Sequence, residues 1–355
     1  MPVLVTAPDG FRGTITAHGA TTAAGRAARA LGWLAVDLPL SDGGEGLLAV
    51  CSALGGTLVP ARVTGPAGTP VRARWWHGAG RAVVESAQAS GLVVAGGAAA
   101  NDPVRATSRG TGELVVAAAR TLAGIDPEEA ARTPCPVGPP GTIVIGLGGS
   151  ATTDGGEGLV EAIDEAGGLG DRISLVAAWD TATRFRDAAR RFAPQKGASP
   201  AQVEELEARL DRLASEYALR AGRDVADLPG SGAAGGMGGA LAVAGARLDS
   251  GYGLVSSWVR LRRALERADA VVTGEGSLDA LSFSGKVVGG VVGDARALGV
   301  PCLVVAGRAD PDGVELARSG GADVAVLEER CGPERCRTDV AACIEEAVAA
   351  WLSSG

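Results

Sequence analysis

Lysine and aromatic residues are scarce in this sequence of 355 residues. Lysine and arginine together total 33, but only Lys196 and Lys286 are lysines, so the other 31 are arginines. Aromatic residues make up 3% of the chain, and the formal net charge is −8. Such a chain has neither the basic surface nor the stacking platforms with which proteins bind nucleic acids. Nucleic-acid binding is therefore not expected, and the positions of the two lysines become informative.

Long apolar runs and metal-binding patterns are also missing. No segment has the roughly 18 consecutive apolar residues of a membrane helix, and the N-terminus lacks the basic segment of a signal peptide. Six cysteines in a chain of this length are too few for a disulfide framework. The two histidines, His18 and His77, lie far along the chain from Cys331 and Cys336, so no zinc site is expected. These absences predict a cytoplasmic protein that does not bind membranes.

Glycine, in contrast, is abundant, with 55 residues. A collagen-like repeat would place glycine at every third position, and no such period is present. The glycines instead form four clusters: SDGGEG at 41–46, GLGGSATTDGG at 146–156, GSGAAGGMGG at 230–239 and TGEGS at 273–277. Three of these clusters coincide with the ends of predicted strands, where tight turns and helix starts are expected.

Both ends of the chain alternate short apolar runs with helical patterns, which is typical of parallel α/β sheets. Strands are predicted at 3–7, 33–40, 268–274, 300–307 and 322–329, and Thr16 is predicted to cap the first helix. Five parallel strands with helices on both faces form a flavodoxin-like sheet.

The middle of the chain has a different pattern. It predicts a hairpin joined near Gly78 and Gly80, strands at 142–148 and 173–178, a long charged helix at 200–220 and a glycine-rich helix at 232–246. The predicted class is therefore α/β, with a flavodoxin-like parallel-sheet domain interrupted by an inserted second α/β domain. We place the first domain at 1–62 and 263–355, the insert at 63–262, and the active site in the cleft between them.

Four loops that follow predicted strands combine backbone N–H groups with carboxylates: 8–10, 42–45, 148–156 and 274–279. Amides at a helix start bind anions, and carboxylates bind Mg²⁺, so such loops suit phosphoryl transfer. The segment GLGGSA also matches the dinucleotide-binding pattern, but no acidic residue ends a strand about 20 residues later. A Walker A loop is absent, because Val287 follows Lys286 where serine or threonine is required.

The order of these motifs resembles the bacterial glycerate kinase family, enzymes that use ATP to phosphorylate glycerate. The matching segments cover nearly the whole chain: APDGFRGTITA, PLSDGGEG, ESAQASGL, NDPVRATSRGTGEL, GLGGSATTDGG, APQKGASPAQVEELE, GSGAAGGMGGAL and DAVVTGEGSLDALSFSGK. The resemblance implies a flavodoxin-like domain with a second α/β domain, the cofactors ATP and Mg²⁺, and 2-phosphoglycerate as the product. A homodimer is left open.

The role assignments that follow from this resemblance are hypotheses. The catalytic candidates are Asp42, Asp180, Asp279 and Lys286, and the metal candidates are Asp42 and Asp154. The substrate-binding candidates are Asp9, Arg12, Arg105, Ser108 and Arg109. The nucleotide-binding candidates are Gly148, Gly149, Ser150, Gly274, Glu275 and Gly276. Lys196 in PQKGA is either a phosphate-binding charge or a helix-start residue, and Glu85 and Glu113 are either ligands or structural acids.

Three segments depart from the family pattern. The opening loop reads Asp9-Gly10-Phe11-Arg12-Gly13 where the family has Asp-Ser-Phe-Lys-Gly, the segment after Asp180 lacks Asn-Pro, and Ser277 stands where arginine is common. These departures leave alternatives open: a kinase of the same family acting on a different small hydroxy acid, or a non-catalytic relative. Because the segment GLGGSA matches the dinucleotide-binding pattern, a third alternative is a dinucleotide-dependent oxidoreductase.

Overall fold

The computed structural model describes residues 1–11 and 13–354, so Arg12 lies outside the described residues. Within those ranges the strands are β1 Val3–Thr6, β2 Leu34–Asp37, β3 Thr57–Thr64, β4 Pro70–Gly78, β5 Arg81–Glu85, β6 Thr142–Leu147, β7 Ser174–Trp179, β8 Arg247–Ser250, β9 Ala270–Leu278, β10 Cys302–Ala309 and β11 Ala322–Val326. The helices are α1 Ala17–Ala30, α2 Leu47–Ala53, α3 Ser86–Ser90, α4 Arg109–Ala123, α5 Pro127–Ala131, α6 Glu157–Glu165, α7 Ala188–Phe192, α8 Pro200–Ala221, α9 Ala233–Val243, α10 Gly251–Trp258, α11 Leu261–Leu265, α12 Val287–Leu298, α13 Pro311–Ser319, α14 Leu327–Cys331, α15 Pro333–Thr338 and α16 Val340–Ser354. Short 3-10 turns occupy Phe185–Asp187, Pro194–Lys196 and Ala280–Phe283.

The chain divides into two compact units. Unit 1 comprises Met1–Asp42 with Tyr252–Gly355, and unit 2 comprises Gly43–Gly251. The expected boundaries were 62/63 and 262/263, and the difference at the first boundary has a clear cause. Strand β3 pairs along its whole length with β4, from Thr57 opposite His77 to Thr64 opposite Pro70, and so joins the sheet of unit 2.

Unit 1 is built on a parallel sheet whose strand order, among the described residues, is β11-β10-β9-β1-β2. Numbered within this unit alone, that order is the 2-1-3-4-5 arrangement of flavodoxin-like folds read from the other edge, so the predicted sheet is confirmed. Its strands carry fully buried apolar side chains such as Leu4, Val272 and Val304, which explains why they read as continuous apolar runs. Helix α1 starts after the predicted cap, Thr16, whose hydroxyl accepts the Gly19 N–H at 3.2 Å.

Unit 2 contains a mixed sheet of order β3-β4-β5-β6-β7-β8 within the described ranges. The predicted hairpin is formed by β4 and β5, while β5, β6, β7 and β8 are mutually parallel neighbours. Strands β3 and β8 were not predicted. Both are edge strands whose side chains are mostly exposed or half-buried, and an edge strand tolerates Pro60 in β3 although proline has no N–H to donate.

The glycine-rich segment before β8 differs from its prediction as one regular helix over 232–246. Helix α9 is interrupted at Ala234, Gly235 and Gly236, all of which have positive φ. A β-carbon at Gly235, whose φ is +74°, would lie 2.0 Å from the Thr152 carbonyl oxygen. Glycine is therefore required there so that backbone can pack directly on backbone. No helix in the described part of the chain is long and apolar enough to cross a membrane.

Candidate active site

The loop that follows β6, Gly148–Gly156, is the best-supported part of the candidate site and is called the β6 loop below. Neighbouring segments hold its backbone from three sides. The Ala151 N–H donates to the Ser90 carbonyl at 2.8 Å, the Gly149 carbonyl accepts the Leu92 N–H at 2.8 Å, and the Gly155 N–H donates to Gly235 at 3.0 Å. A loop fixed in this way presents its amides without reorganisation when a ligand arrives.

Two predicted site residues meet at the start of this loop. A β-carbon at Gly148 would lie 3.0 Å from the Asp180 Oδ2 atom and 2.7 Å from the Gly44 α-carbon. Asp180 follows β7, which pairs with β6 in register, so the parallel sheet brings the two strand ends together. The first glycine of the β6 loop thus leaves room for the Asp180 carboxylate.

Lys196 lies against the middle of the same loop. Its Nζ atom donates to the Ser150 hydroxyl at 3.0 Å and to the Thr152 carbonyl at 2.6 Å, and the residue is 3% exposed. Burial lowers the pKa of Lys196 to about 8, although the charges of Asp154 and Asp180 oppose that shift. Lys196 was not among the assigned site residues. The signal that could have found it was the rarity of lysine in the chain.

A single asparagine completes this arrangement. Asn101 is the only asparagine in the sequence. Its Nδ2 atom donates to the Ala151 carbonyl at 3.0 Å and to the Lys196 carbonyl at 2.9 Å. One side chain therefore ties the backbone that carries Lys196 to the loop that its ammonium contacts. Asn101 was also missed, and its uniqueness in the composition was the available signal.

Asp154, the second metal candidate, is 2% exposed and fully engaged by its own unit. Its Oδ2 atom accepts both the N–H and the hydroxyl of Ser108, each at 2.8 Å, and its Oδ1 atom accepts the Gly156 N–H at 3.0 Å. The Ser108 hydroxyl in turn accepts the Leu159 N–H at 3.0 Å. The pair therefore joins the start of α4 to the β6 loop, which does not suit Asp154 to bind a metal. In the described ranges no group of three or more His, Cys, Asp and Glu side chains could hold a metal ion.

The arginine candidates have different surroundings. Arg109 forms ion pairs with Glu113 at 3.1 Å and with Glu165, whose pKa is lowered by its hydrogen bond with this guanidinium. Glu113 also accepts the Thr64 N–H at 2.7 Å, so it acts as a structural acid. Arg105 is exposed and has no ion pair among the described residues. The guanidinium of Arg109 is therefore already paired with carboxylates of the fold, whereas no such ion pair is present for Arg105 among the described residues.

Glu85, at the end of β5, also has a structural role. Its Oε1 atom accepts the Gly46 and Leu48 N–H groups at 3.1 and 2.7 Å, and its Oε2 atom accepts from Gln88 at 3.2 Å. Burial raises the pKa of Glu85 in spite of these bonds. The carboxyl caps the N-terminus of α2, where helix N–H groups lack partners of their own.

In unit 1, the predicted strand-end loop at 274–279 is part of the sheet instead. Strand β9 runs to Leu278, and Gly274 and Glu275 pair with Val305 and Ala306 of β10. Glycine weakens a strand only modestly, and the long pairing with β10 extends β9 through the whole motif. Gly276 therefore also lies in a strand. Asp9 lies beside Gly274, because the Asp9 N–H donates to the Gly274 carbonyl at 2.9 Å.

The carboxyl of Glu275 has an incomplete set of hydrogen bonds among the described residues. Its Oε1 atom is buried and has no hydrogen-bond partner among the described residues. Burial raises the pKa of Glu275 to about 7, an effect that Lys286 opposes and that Asp279 and Asp42 increase. Three predicted catalytic residues thus act electrostatically on one carboxyl of near-neutral pKa.

These three residues have distinct positions. Asp279 caps the 3-10 turn Ala280–Phe283, with its Oδ1 atom accepting the Ser282 N–H at 3.1 Å. Lys286 is the residue before α12 and makes no side-chain cap there. Asp42 is 9% exposed and ends the first segment of unit 1. At Ser277, the hydroxyl accepts from Arg308 Nε at 3.2 Å, so a guanidinium from β10 lies beside this position.

The fold and these clusters define an α/β protein with titratable groups toward the carboxyl ends of parallel strands, where such proteins bind ligands. The model of the glycerate kinase family matches residues 4–167 and 171–353. The chain belongs to this family and is therefore a kinase, a phosphotransferase with an alcohol group as acceptor.

Individual relatives extend the comparison. The chain is 38% identical over 354 residues to an uncharacterized protein of Mycobacterium bovis, covering 94% of this chain and 86% of that one. It is 36% identical over 345 residues to the glycerate 2-kinase of Escherichia coli K12, covering 87% and 86%. A crystal structure of a protein provisionally assigned as glycerate kinase 2 from Salmonella typhimurium LT2 superposes with a TM-score of 0.74 at 30% identity, covering 100% of this chain and 99% of that one.

Proposed function

We propose that this protein transfers the γ-phosphoryl group of ATP to a hydroxyl of glycerate and releases 2-phosphoglycerate and ADP. The observation that carries the proposal is the rigid β6 loop with Asp180 at its first glycine, in a chain of the glycerate kinase family. The name of the Escherichia coli relative, glycerate 2-kinase, supports the choice of acceptor and product.

The nucleotide phosphates are proposed to bind at the β6 loop. The N–H groups of Gly149 and Ser150 lie in a loop at the end of a parallel strand, an arrangement that binds phosphate oxygens, whereas the Gly148 N–H donates to the Ser86 hydroxyl at 3.5 Å. Gly274 and Gly276 are less suitable, because they lie inside the paired strand β9. Glu275, predicted as a nucleotide-binding residue, is assigned a different role.

Glu275 is proposed to accept the proton that the attacking hydroxyl loses. A proton acceptor works best with a pKa near the operating pH, and Glu275 is the carboxyl of its unit with a pKa raised to about 7. Lys286 would offset the negative charge on the transferred phosphoryl group. The hydroxyl oxygen forms the new bond to phosphorus, the bond to ADP breaks, and the proton moves to the Glu275 carboxylate.

Mg²⁺ is proposed to enter with ATP, held mainly by phosphate oxygens. Magnesium in kinase sites commonly uses one or two carboxylates in addition to the nucleotide phosphates. Asp154 does not fit as a ligand, since its oxygens accept three hydrogen bonds within unit 2. Asp42 is the carboxylate that we propose for this contact.

The carboxylate of the acceptor is proposed to bind at Arg105, with Asp9 beside the acceptor hydroxyls. A guanidinium without an ion pair can form the two parallel hydrogen bonds that a carboxylate offers. Arg109 is replaced in this role, because Glu113 and Glu165 already engage it.

The test is an ADP-formation assay with ATP, Mg²⁺ and a panel of small hydroxy acids, with the phosphorylated product identified by ³¹P NMR. We expect turnover with glycerate and phosphate on its 2-hydroxyl. Turnover with another hydroxy acid but not with glycerate would support the alternative of a different acceptor, which the departures at Gly10 and Ser277 motivate. Absence of ADP formation with every acceptor would exclude the kinase proposal.

A further inference from the structure

Lys196 is buried without an ion pair. No carboxylate among the described residues lies within ion-pair distance of its Nζ atom, and both of its hydrogen-bond partners, Ser150 and Thr152, are neutral. An ammonium group has three N–H donors. Two of them are used inside the protein, so one has no acceptor among residues 1–11 and 13–354.

Folding alone does not account for this charge. Removing an ammonium from water without pairing it is strongly unfavourable, and two neutral acceptors compensate only in part. Asp154, whose charge acts on Lys196, directs its oxygens to Ser108 and Gly156 instead. Strongly perturbed, buried titratable groups in a ligand-binding region are candidates for function rather than for stability.

The position of Lys196 is also fixed in advance. Asn101 donates to the Lys196 carbonyl and to the Ala151 carbonyl, so the backbone that carries the lysine cannot move far relative to the β6 loop without losing at least one of these contacts. Catalytic and binding groups held in this way interact with a ligand at little cost in reorganisation. A donor at a fixed place beside a phosphate-binding loop is suited to an anion.

We propose that the remaining N–H of protonated Lys196 donates to an anionic oxygen of the ligand bound on the β6 loop. The inference rests on the proposed function, because it assumes that this loop holds a substrate. The ligand group is an oxyanion, supplied either by a phosphate of the nucleotide or by the carboxylate of the acceptor. The same ammonium positions Ser150 and Thr152, so its loss would affect both the shape and the charge of the loop.

Direct binding to the full chain tests the proposal without requiring turnover. Dissociation constants for ADP and for glycerate, each alone, are measured by calorimetry for the natural protein and for Lys196→Met, Lys196→Arg and Arg223→Met. Arg223 is exposed in the same unit, so Arg223→Met removes an equal charge from an exposed position. We expect Lys196→Met to weaken one probe about 10- to 100-fold near neutral pH, which is typical of a lost hydrogen bond to a charged group. Arg223→Met should leave both constants unchanged.

The identity of the weakened probe distinguishes the two sources of the oxyanion. A weaker ADP complex indicates a phosphate contact, and a weaker glycerate complex indicates a carboxylate contact. Unchanged affinity for both probes in Lys196→Met would overturn the proposal. Retention of kinase turnover with unchanged affinities would overturn it while leaving the proposed function intact. Conversely, absence of turnover in the natural protein with Lys196-dependent ADP binding would contradict only the proposed function.

A pH titration of the natural protein and of Lys196→Met separates ligand binding from a purely structural role. The affinity of the natural protein for the same probe should fall as pH rises through about 8, because the ammonium loses its proton there. The Lys196→Met variant should lack this pH dependence and remain at least as resistant to urea as the natural protein. A structural role predicts the opposite result, a less stable variant that weakens both probes equally at every pH.

Discussion

Each unit contains a glutamate whose pKa is raised by burial of its carboxyl, but the two carboxyls differ in how completely they are hydrogen-bonded. In unit 2, Glu85 accepts the N–H groups of Gly46 and Leu48 and caps a helix. In unit 1, the Oε1 atom of Glu275 is buried and has no hydrogen-bond partner within the described ranges. A buried acceptor without a partner lowers the stability of the fold by about 1–3 kcal/mol. Glu85 therefore contributes to stability, whereas the open oxygen of Glu275 does not.

This difference shows how to distinguish carboxyls that stabilise the fold from carboxyls that can take part in a reaction. Burial and a raised pKa are common to both glutamates and do not distinguish them. The partners do: a carboxyl whose oxygens are satisfied by backbone N–H groups stabilises a helix start, whereas one with an open oxygen can accept a proton or a ligand. Asp154 follows Glu85 in this respect, since its oxygens are satisfied by Ser108 and Gly156.

The largest expected effect is on turnover in Glu275→Gln. If Glu275 accepts the hydroxyl proton, kcat should fall about 10²- to 10⁴-fold, the usual contribution of a general base. The control is Glu315→Gln, an exposed acid of the same unit, which should retain full kcat. A Glu275→Gln enzyme with undiminished kcat would make Glu275 structural and remove the contrast with Glu85.

The next effect concerns the rigidity of the β6 loop. Gly235→Ala should lower the free energy of unfolding by at least about 3 kcal/mol, since it adds a backbone clash to a left-handed φ. Gly222→Ala is the matched control: its φ is +65°, but no atom lies within 4 Å of the added carbon. We expect Gly222→Ala to cost only about 1 kcal/mol in urea unfolding. Equal losses in the two variants would show that close packing against Thr152 is not what requires glycine.

The pH dependence of kinase activity should reflect the titration of both Glu275 and Lys196. Activity should rise with deprotonation of Glu275 near pH 7 and fall with deprotonation of Lys196 near pH 8, by roughly tenfold per pH unit outside that window. In Glu275→Gln, what activity is left should lose the acidic limb, and in Lys196→Met the basic limb should be lost. A basic limb that persists in Lys196→Met would assign it to another group.

The free energy of unfolding should rise with pH in the basic range, where activity falls. The pKa of Lys196 is about 8 in the folded protein and near 10.5 when unfolded, so the unfolded chain binds more protons between these values. The free energy of unfolding should therefore rise with pH over that window, by up to ~3 kcal/mol. For Glu275, the folded protein holds the extra proton between about 4.5 and 7, so its contribution to stability falls as pH rises through that window. Urea titrations at several pH values, compared with Lys196→Met and Glu275→Gln, measure both slopes.

The smallest effect is expected at Glu85. Glu85→Gln keeps one acceptor oxygen for the N-terminus of α2 and should cost about 1 kcal/mol or less, whereas Glu85→Ala should cost about 2 kcal/mol through the lost cap. Thermal unfolding of the two variants measures the difference. A larger loss in Glu85→Gln than in Glu85→Ala would contradict the capping role and weaken the comparison between the two glutamates.

The sheet of unit 1 could be predicted from the sequence because buried parallel strands are continuous apolar runs. The edges of unit 2 could not. Strand β3 contains Pro60 and Arg62, and β8 is a four-residue strand with Arg247 and Asp249, so neither shows the pattern of an inner strand. Pairing with a neighbour, not intrinsic preference, determines their conformation.

The site was predicted in part for a similar reason. The β6 loop and Asp180 follow from strand order, because ends of adjacent parallel strands meet at one edge. The burial of Lys196 could not be deduced, since its partners Ser150 and Thr152 lie more than 40 residues earlier in the chain. The loop predicted around Glu275 is a strand because β10 pairs with it throughout.

The strand order of unit 1 has a consequence for biosynthesis. Strand β1 lies between β2 and β9, so Leu4 can pair with Ala35 early, but its neighbour on the other side, Ala270, does not yet exist on the nascent chain. Unit 2 is one continuous segment, Gly43–Gly251, and is complete before Ala270 is synthesised. Domains fold as units during synthesis, generally from the N-terminus, and contacts between distant residues form slowly. We therefore expect the usual order to be reversed in this chain: the unit that contains the N-terminus completes its sheet after unit 2 has been synthesised.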